Sequence, residues 1–150
     1  MKNLILLPAF FSAIILASCS KSDSTDSSTD LSVKKGDVST GSWKVTQYLD
    51  SGKDETNNYS SYSFDFNTDG TVFASNGTTD FSGTWNLISG SNSSTSSSSD
   101  DISSRLTITI TGNKQMEDIS KKWLVLKITE TEISLSDDNV ASNEHLKFGR

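Results

Sequence analysis

The two residue types that most often act as nucleophile, base or metal ligand, cysteine and histidine, occur once each in this 150-residue chain. Cys19 is its one cysteine and His145 its one histidine. A serine nucleophile needs a positioned base, and only His145 could be the histidine base of the usual triad. Its alternation with the apolar Leu146, however, predicts that His145 faces solvent. Two Asp-Asp pairs, at 100–101 and 137–138, lie in expected loops with no reason to converge. We therefore expect no enzyme, no metal site and no cofactor.

One acidic segment has the spacing of a calcium ligand set. Residues 65–70 read Asp-Phe-Asn-Thr-Asp-Gly, which is the first half of an EF-hand loop. The twelfth position of that loop should carry a bidentate glutamate, and here it is Asn76, between expected strands rather than helices. We expect a hairpin turn instead, with Gly70 at positive φ. Asn76-Gly77 is a second hairpin signal.

The N-terminal segment points to secretion and to a lipid anchor at Cys19. Lys2 precedes an apolar stretch, residues 4–16, that is shorter than the roughly 20 residues of a spanning helix and is typical of a signal peptide. Leu16-Ala17-Ser18-Cys19 resembles the lipobox of bacterial lipoproteins. The resemblance implies removal of residues 1–18 and acylation of Cys19 with palmitate-type chains. It also implies a lipoprotein held at the outer membrane, facing the periplasm or the cell surface.

The charge and the polar segment after Cys19 restrict the partners of the mature chain. Without Lys2 it has 12 basic and 19 acidic side chains, so its formal charge is −7. This acidic balance argues against nucleic acid and against electrostatic docking on anionic lipid. Residues 19–40 are predicted to be the lipidated cysteine and a flexible tether, because so polar a segment buries little surface. A tether of this length has a root-mean-square reach of about 25 Å.

From residue 41 onward, apolar residues alternate with polar ones, which predicts half-buried antiparallel strands. Residues 114–122 are the one segment with a helical pattern. Short turns between the strands predict an all-β meander that closes into an eight-stranded antiparallel up-and-down barrel over residues 41–150. The expected strands are 42–49, 59–66, 71–76, 81–88, 104–111, 122–129, 132–136 and 144–149.

Several motifs within this region match a known family. Gly41-Ser42-Trp43 opens the first strand, Gly83-Thr84-Trp85 the fourth, and Trp123 a later one. With the hairpin at 64–71, they resemble the lipocalin-like domain of many small bacterial lipoproteins over about residues 40–150. The resemblance implies that Trp43 fills a closed barrel end and that Arg150 packs over it.

The predicted inward residues leave two functions open, both non-catalytic. An eight-stranded barrel is either filled by side chains or holds one small ligand. The chain is thus either a monomeric binding module for a small apolar or amphipathic molecule, or a filled barrel whose loops contact or inhibit a protein. The loop 89–104, rich in serine, is correspondingly a spacer or a lid. The pocket or core candidates are Trp43, Tyr62, Phe64, Phe66, Trp85, Leu126 and Phe148.

Overall fold

Nine strands and two short α-helices form the part of the chain that the computed structural model describes, residues 27–90 and 104–150. The helices are α1 (Ser27–Val38) and α2 (Lys114–Asp118). Two 3-10 turns, Thr56–Tyr59 and Val140–Ser142, complete the regular structure of these residues. The strands are β1 (Ser42–Asp50), β2 (Lys53–Asp54), β3 (Ser63–Phe66), β4 (Thr71–Ser75), β5 (Asp80–Ile88), β6 (Arg105–Ile110), β7 (Lys122–Ile128), β8 (Glu132–Ser136) and β9 (His145–Gly149).

The strands form one antiparallel sheet that closes on itself. Their order is β2-β1-β3-β4-β5-β6-β7-β8-β9, and β1 also pairs with β9, from Lys44 opposite Gly149 to Leu49 opposite His145. The sheet has one strand more than the eight expected, because β2 adds a two-residue extension beside the end of β1. The second expected strand begins at Ser63 rather than residue 59, since a 3-10 turn precedes it.

The alternation of apolar and polar residues sets which side of each strand faces the interior. In β6, Leu106, Ile108 and Ile110 are buried, whereas Thr109 is exposed. The same period of two holds in β3, β4 and β9. In β1 it holds only up to a register shift between Val45 and Gln47, after which Tyr48 is the next buried residue. Because successive side chains of a strand point to opposite faces, the interior of the closed sheet is filled by the apolar set that the sequence pattern identifies.

Leu126 is the exception, and its predicted inward position is wrong. The pairing of β7 with β8 shifts between Val125 and Lys127, so that Leu126 is the extra residue of a β-bulge. After a bulge, each later side chain of the strand points to the face opposite to the one that strict alternation predicts. Trp123 and Ile128 are therefore buried on the two sides of the bulge, whereas Leu126 is 56% exposed.

Both predicted hairpin signals form turns. In the first, the backbone N–H of Asn67 donates to the Thr71 carbonyl at 2.8 Å, and Gly70 has φ 87°. The Asp69 carboxylate accepts from the Thr71 backbone N–H and hydroxyl at 2.9 and 2.7 Å. Asp69, one of the residues that match the EF-hand spacing, is thus a hydrogen-bond acceptor within the turn. At the second, Gly77 has φ 81°.

The flexible tether predicted over residues 19–40 is wrong for its last part, because residues 27–38 form α1. Leu31 packs against the core and Val38 is fully buried. These residues are seven apart, which places them on one face of a helix. The polar composition of this segment did not predict a helix, because only two of its apolar side chains, Leu31 and Val38, pack against the core.

The helical pattern over residues 114–122 corresponds to α2, which is shorter. Asn113 caps its first turn by accepting from the Met116 backbone N–H at 3.1 Å. Of the loop 89–104, residues 91–103 lie outside the described residues, as do the signal segment and Cys19. The ends of that loop meet, because Ile88 and Arg105 are direct cross-strand partners.

Candidate functional site

A chain of aromatic contacts occupies the middle of the closed sheet, where a ligand cavity was one of two expectations. Phe64 and Phe148 meet edge to face at 5.3 Å between ring centroids, and Phe66 meets Phe148 and Trp85 at 5.7 Å each. These T-shaped arrangements are favourable beyond the area they bury. The four rings come from β3, β5 and β9, so they connect opposite sides of the sheet through its interior.

Six of the seven pocket or core candidates lie in this interior. Their exposed fractions are at most 7%. The seventh, Leu126, faces outward for the reason given above. The six interior residues are Trp43, Tyr62, Phe64, Phe66, Trp85 and Phe148.

Trp43 closes one end of the interior together with α1. Its indole Nε1 donates to the Val38 carbonyl at 2.9 Å, and its side chain is fully buried. The Arg150 guanidinium lies over the ring, with Cζ 4.3 Å from the centroid, in the packing that the family resemblance implies. Arg150 Nη2 also donates to the Asp37 carbonyl at 3.3 Å, and its Nε donates to the Glu130 carbonyl. We call this the α1 end.

A groove opens at the α1 end, between the helix and the hairpin that precedes β4. Trp85 forms part of its floor, and its Nε1 donates to the Asn67 carbonyl at 2.8 Å. The groove has a volume of about 280 Å³ and one basic side chain, Lys35. It is lined by Ser32, Lys35, Gly36, Ser39, Thr68, Gly70, Trp85 and Asn86.

The opposite end is closed by tyrosines under α2. Tyr59 donates its hydroxyl to the Gln115 carbonyl at 2.9 Å, and Tyr48 donates to the Asp118 carbonyl at 3.4 Å. The two rings meet edge to face at 5.2 Å. Burial raises the pKa of both phenols well above the usual range, and nearby acidic groups raise that of Tyr48 further. Both hydroxyls therefore remain neutral donors. We call this the α2 end.

A cluster of charges lies near the strand ends on the α2 side. Lys121 Nζ lies 2.6 Å from the Glu144 carboxylate and 3.9 Å from that of Asp137. Burial raises the pKa of Glu144, and the neighbouring Asp137 raises it further, although Lys121 opposes both. The pKa of Asp137 is lowered, chiefly by the backbone N–H of Asn139. His145 lines a cavity of about 140 Å³ beside them.

The outward position expected for His145 holds only in part. The residue lies on the outer side of β9, between the buried Leu146 and the end of the β8–β9 connection, and it is half-buried rather than exposed. Its cross-strand partners are Ser136 and Leu49. In residues 27–90 and 104–150, no three His, Cys, Asp or Glu residues are grouped to hold a metal ion.

The sequence did not reveal that α1 and α2 take part in closing the two ends. The spacing of Leu31 and Val38 was the available signal for α1, and that of Met116 and Ile119 was the signal for α2. Both members of each pair touch or belong to the core. Within the described part of the chain, no helix combines the length and the apolarity that crossing a membrane requires.

Comparison with known proteins supports a lipocalin-like fold. No family model and no curated protein matches the sequence. Among solved structures, the chain is similar to a lipocalin-like protein from Bacteroides uniformis, with a TM-score of 0.50 and 18% identity over 77% of this chain and 99% of that one. It is also similar to a DUF4847 family protein from Bacteroides vulgatus, with a TM-score of 0.50 and 12% identity over 75% and 93%. The described part of this chain thus has a lipocalin-like fold.

Proposed function

We propose that this protein is a lipoprotein of the cell envelope, held at the outer membrane by acyl chains on Cys19, and that it is a non-catalytic binding module. The lipobox-like residues 16–19 support the anchor, because the cysteine follows small residues at the end of a short apolar segment. Several acyl chains make a durable anchor, since each buried CH₂ contributes about 0.8 kcal/mol. In this proposal β1 and β3–β9 are the eight strands of an up-and-down barrel.

The filled interior is the observation that favours protein recognition over a ligand cup. Trp43 and Trp123 are fully buried, and Phe148 packs edge to face on both Phe64 and Phe66 in the interior. Among the described residues, these packed rings occupy the space in which a small-molecule pocket of about 300–1,000 Å³ would lie. The surfaces left for binding are the outer face and the loops at the two ends, which is the arrangement of an interaction or inhibitor module.

The groove at the α1 end supports a second candidate function. Its volume of about 280 Å³ suits a small amphipathic molecule that places an apolar part against Trp85 and an anionic group near Lys35. Such a molecule would bind outside the barrel, under the helix.

Fractionation of cells tests the anchor. We expect the parent protein in the membrane fraction and Cys19→Ala in the soluble fraction, with Ser20→Ala, the neighbouring substitution, behaving as the parent. If Cys19→Ala remains with membranes as the parent does, the anchor is wrong.

Native mass spectrometry of the protein purified from its own host separates the two binding functions. If the protein is an interaction module, the measured mass should be that of the acylated chain without a bound small molecule. A retained small molecule that is lost in Asn86→Trp, which fills the groove, and kept in Ser82→Trp, on the same outer face of β5, would favour the second candidate. A retained molecule that is unaffected by both substitutions would bind outside this groove and contradict both candidate functions as stated.

A further inference from the structure

The position of α1 determines which end of the protein can approach a membrane. The helix begins at Ser27, so only eight Cα–Cα steps separate it from Cys19. Eight steps span at most about 28 Å even when fully extended. The corresponding limit for the whole segment up to residue 41 would be about 75 Å. Docking of α1 therefore shortens the available reach more than twofold.

The helix is fixed to the α1 end by contacts of its C-terminal half. Val38 is fully buried and accepts from the Trp43 indole, and Asp37 accepts from Arg150. Leu31, which lies on the same face of the helix as Val38, packs against the core as well. The attachment point of the preceding chain is thus part of the folded domain rather than of a separate tether.

The outer side of α1 carries an apolar residue. Val33 lies about 200° around the helix from Leu31, since successive residues are 100° apart, and its side chain is 57% exposed. Two other exposed apolar residues, Ile88 and Leu126, lie on β5 and β7, two of the strands that α1 contacts. Of the four large apolar side chains that are exposed among the described residues, only Phe73 belongs to another element.

We infer that the α1 end faces the bilayer, with Val33, Ile88 and Leu126 as its apolar contacts, and that the α2 end faces away. This inference rests on the proposed anchor at Cys19. An anchor within about 28 Å of α1 keeps this end of the barrel beside the lipid surface. It leaves the turns at the α2 end, with the tyrosines and the Lys121 cluster, accessible to a protein partner.

Energy transfer to labelled lipid measures the orientation. Acylation consumes the one cysteine of the chain, so an introduced cysteine is a unique attachment site for a dye. Ser32→Cys on α1 and Thr78→Cys in the turn before β5 are both at exposed positions, near opposite ends of strands that rise about 3.3 Å per residue. The acylated full chain is placed in vesicles of phosphatidylethanolamine and phosphatidylglycerol that contain headgroup-labelled acceptor lipid.

We expect at least twofold stronger transfer from Ser32→Cys than from Thr78→Cys. Thr131→Cys at the α1 end and Asn57→Cys at the α2 end, also exposed, form a second pair in case a label disturbs the first. In the Ser32→Cys chain, Val33→Ser should reduce the transfer, whereas Phe73→Ser should not.

Two outcomes contradict the inference in distinguishable ways. Equal or reversed transfer from an acylated chain overturns the orientation and leaves the anchor intact. A mass spectrum of the purified chain without acyl groups overturns the anchor and the orientation with it. If Val33→Ser and Phe73→Ser have the same effect, the apolar contact at Val33 is wrong.

Discussion

Truncation of Trp43 should remove a large share of the stability of the domain. The side chain is fully buried, and it makes three kinds of contact: apolar packing in the core, the hydrogen bond to Val38 and the stacking of Arg150. Three substitutions separate these contributions: Trp43→Ala removes all of them, Trp43→Phe removes chiefly the indole N–H, and Arg150→Ala removes the stacking together with the hydrogen bonds from Arg150 to the Asp37 and Glu130 carbonyls.

The structure gives a graded expectation for the free energy of unfolding. A buried tryptophan truncated to alanine costs about 3–5 kcal/mol, against the 5–15 kcal/mol, approximately, of a typical domain. Trp43→Phe leaves the Val38 carbonyl without its donor, and an unsatisfied buried group costs about 1–3 kcal/mol. Arg150 is exposed, so loss of its contact with the ring should cost only about 0.5–1 kcal/mol.

Thermal unfolding followed by circular dichroism measures this order. One kcal/mol corresponds to about 3–5 °C for a domain of about 100–150 residues, so Trp43→Ala should lower the midpoint by about 10 °C or more, or prevent folding. Trp43→Phe should fall between it and Arg150→Ala. A Trp43→Ala protein as stable as the parent would refute the closure of the α1 end by this residue. If Trp43→Phe is as stable as the parent, the hydrogen bond to Val38 does not hold α1.

Three further predictions concern other parts of the fold. Because burial raises the pKa of Glu144, its contribution to stability is present below the unfolded pKa and is lost as pH rises through the folded one; Glu144→Gln should therefore gain stability relative to the parent as pH rises above the ordinary range of a glutamate in urea titrations, and a pH-independent difference would contradict this. A Cβ at Gly83 would overlap the backbone of Thr109, so Gly83→Ala should destabilise by more than about 1 kcal/mol, whereas Gly36→Ala, in open space on α1, should stabilise by about 0.5–1 kcal/mol; the reverse order of their unfolding midpoints would refute both assignments. Replacement of the loop 89–104 by Asn-Gly should leave the midpoint nearly unchanged, because its ends already pair and each doubling of loop length costs only about 0.6 kcal/mol; a clear loss would show that the loop packs on the fold.

The strands were predictable because each carries a one-sided pattern within itself. Tyr62, Phe64 and Phe66 alternate with polar residues, and the turn residues Asn67 to Gly70 fix where the chain reverses. Closure of the sheet followed from the number of strands and the shortness of the turns. Both arguments use only local sequence, and local sequence determines which face of a strand is apolar.

Leu126 and α1 were not predictable in this way. Nothing in the run from Trp123 to Ile128 distinguishes strict alternation from alternation with one extra residue, because both arrangements bury two or three apolar side chains. The bulge is selected by pairing with β8, which is a tertiary contact. Likewise α1 is polar and contains Gly36, which disfavours a helix, and it forms where Val38 can dock beside Trp43.

The choice between a filled and a hollow interior also lay beyond the sequence. Counting inward aromatic residues left the two alternatives balanced, because the volume that rings occupy depends on how they tilt. In the structure, Phe148 meets both Phe64 and Phe66 edge to face, and this interlocking fills the centre. The closing of the α2 end by Tyr48 and Tyr59 depends on carbonyls of α2, which no local pattern specifies.

The indole N–H groups offer the most direct test of the filled interior. Each of the three tryptophans donates to a backbone carbonyl: Trp43 to Val38, Trp85 to Asn67 and Trp123 to Ile119, at 2.9, 2.8 and 3.0 Å. Nitrogen-15 NMR of residues 27–150, titrated with lauric acid as an apolar probe, follows all three signals at once. If the interior is filled, the signals of Trp43 and Trp123 should stay unchanged at saturating probe, whether or not Trp85 responds through the groove. Saturable shifts of Trp43 and Trp123 together would show a ligand inside the closed sheet and refute the filled interior.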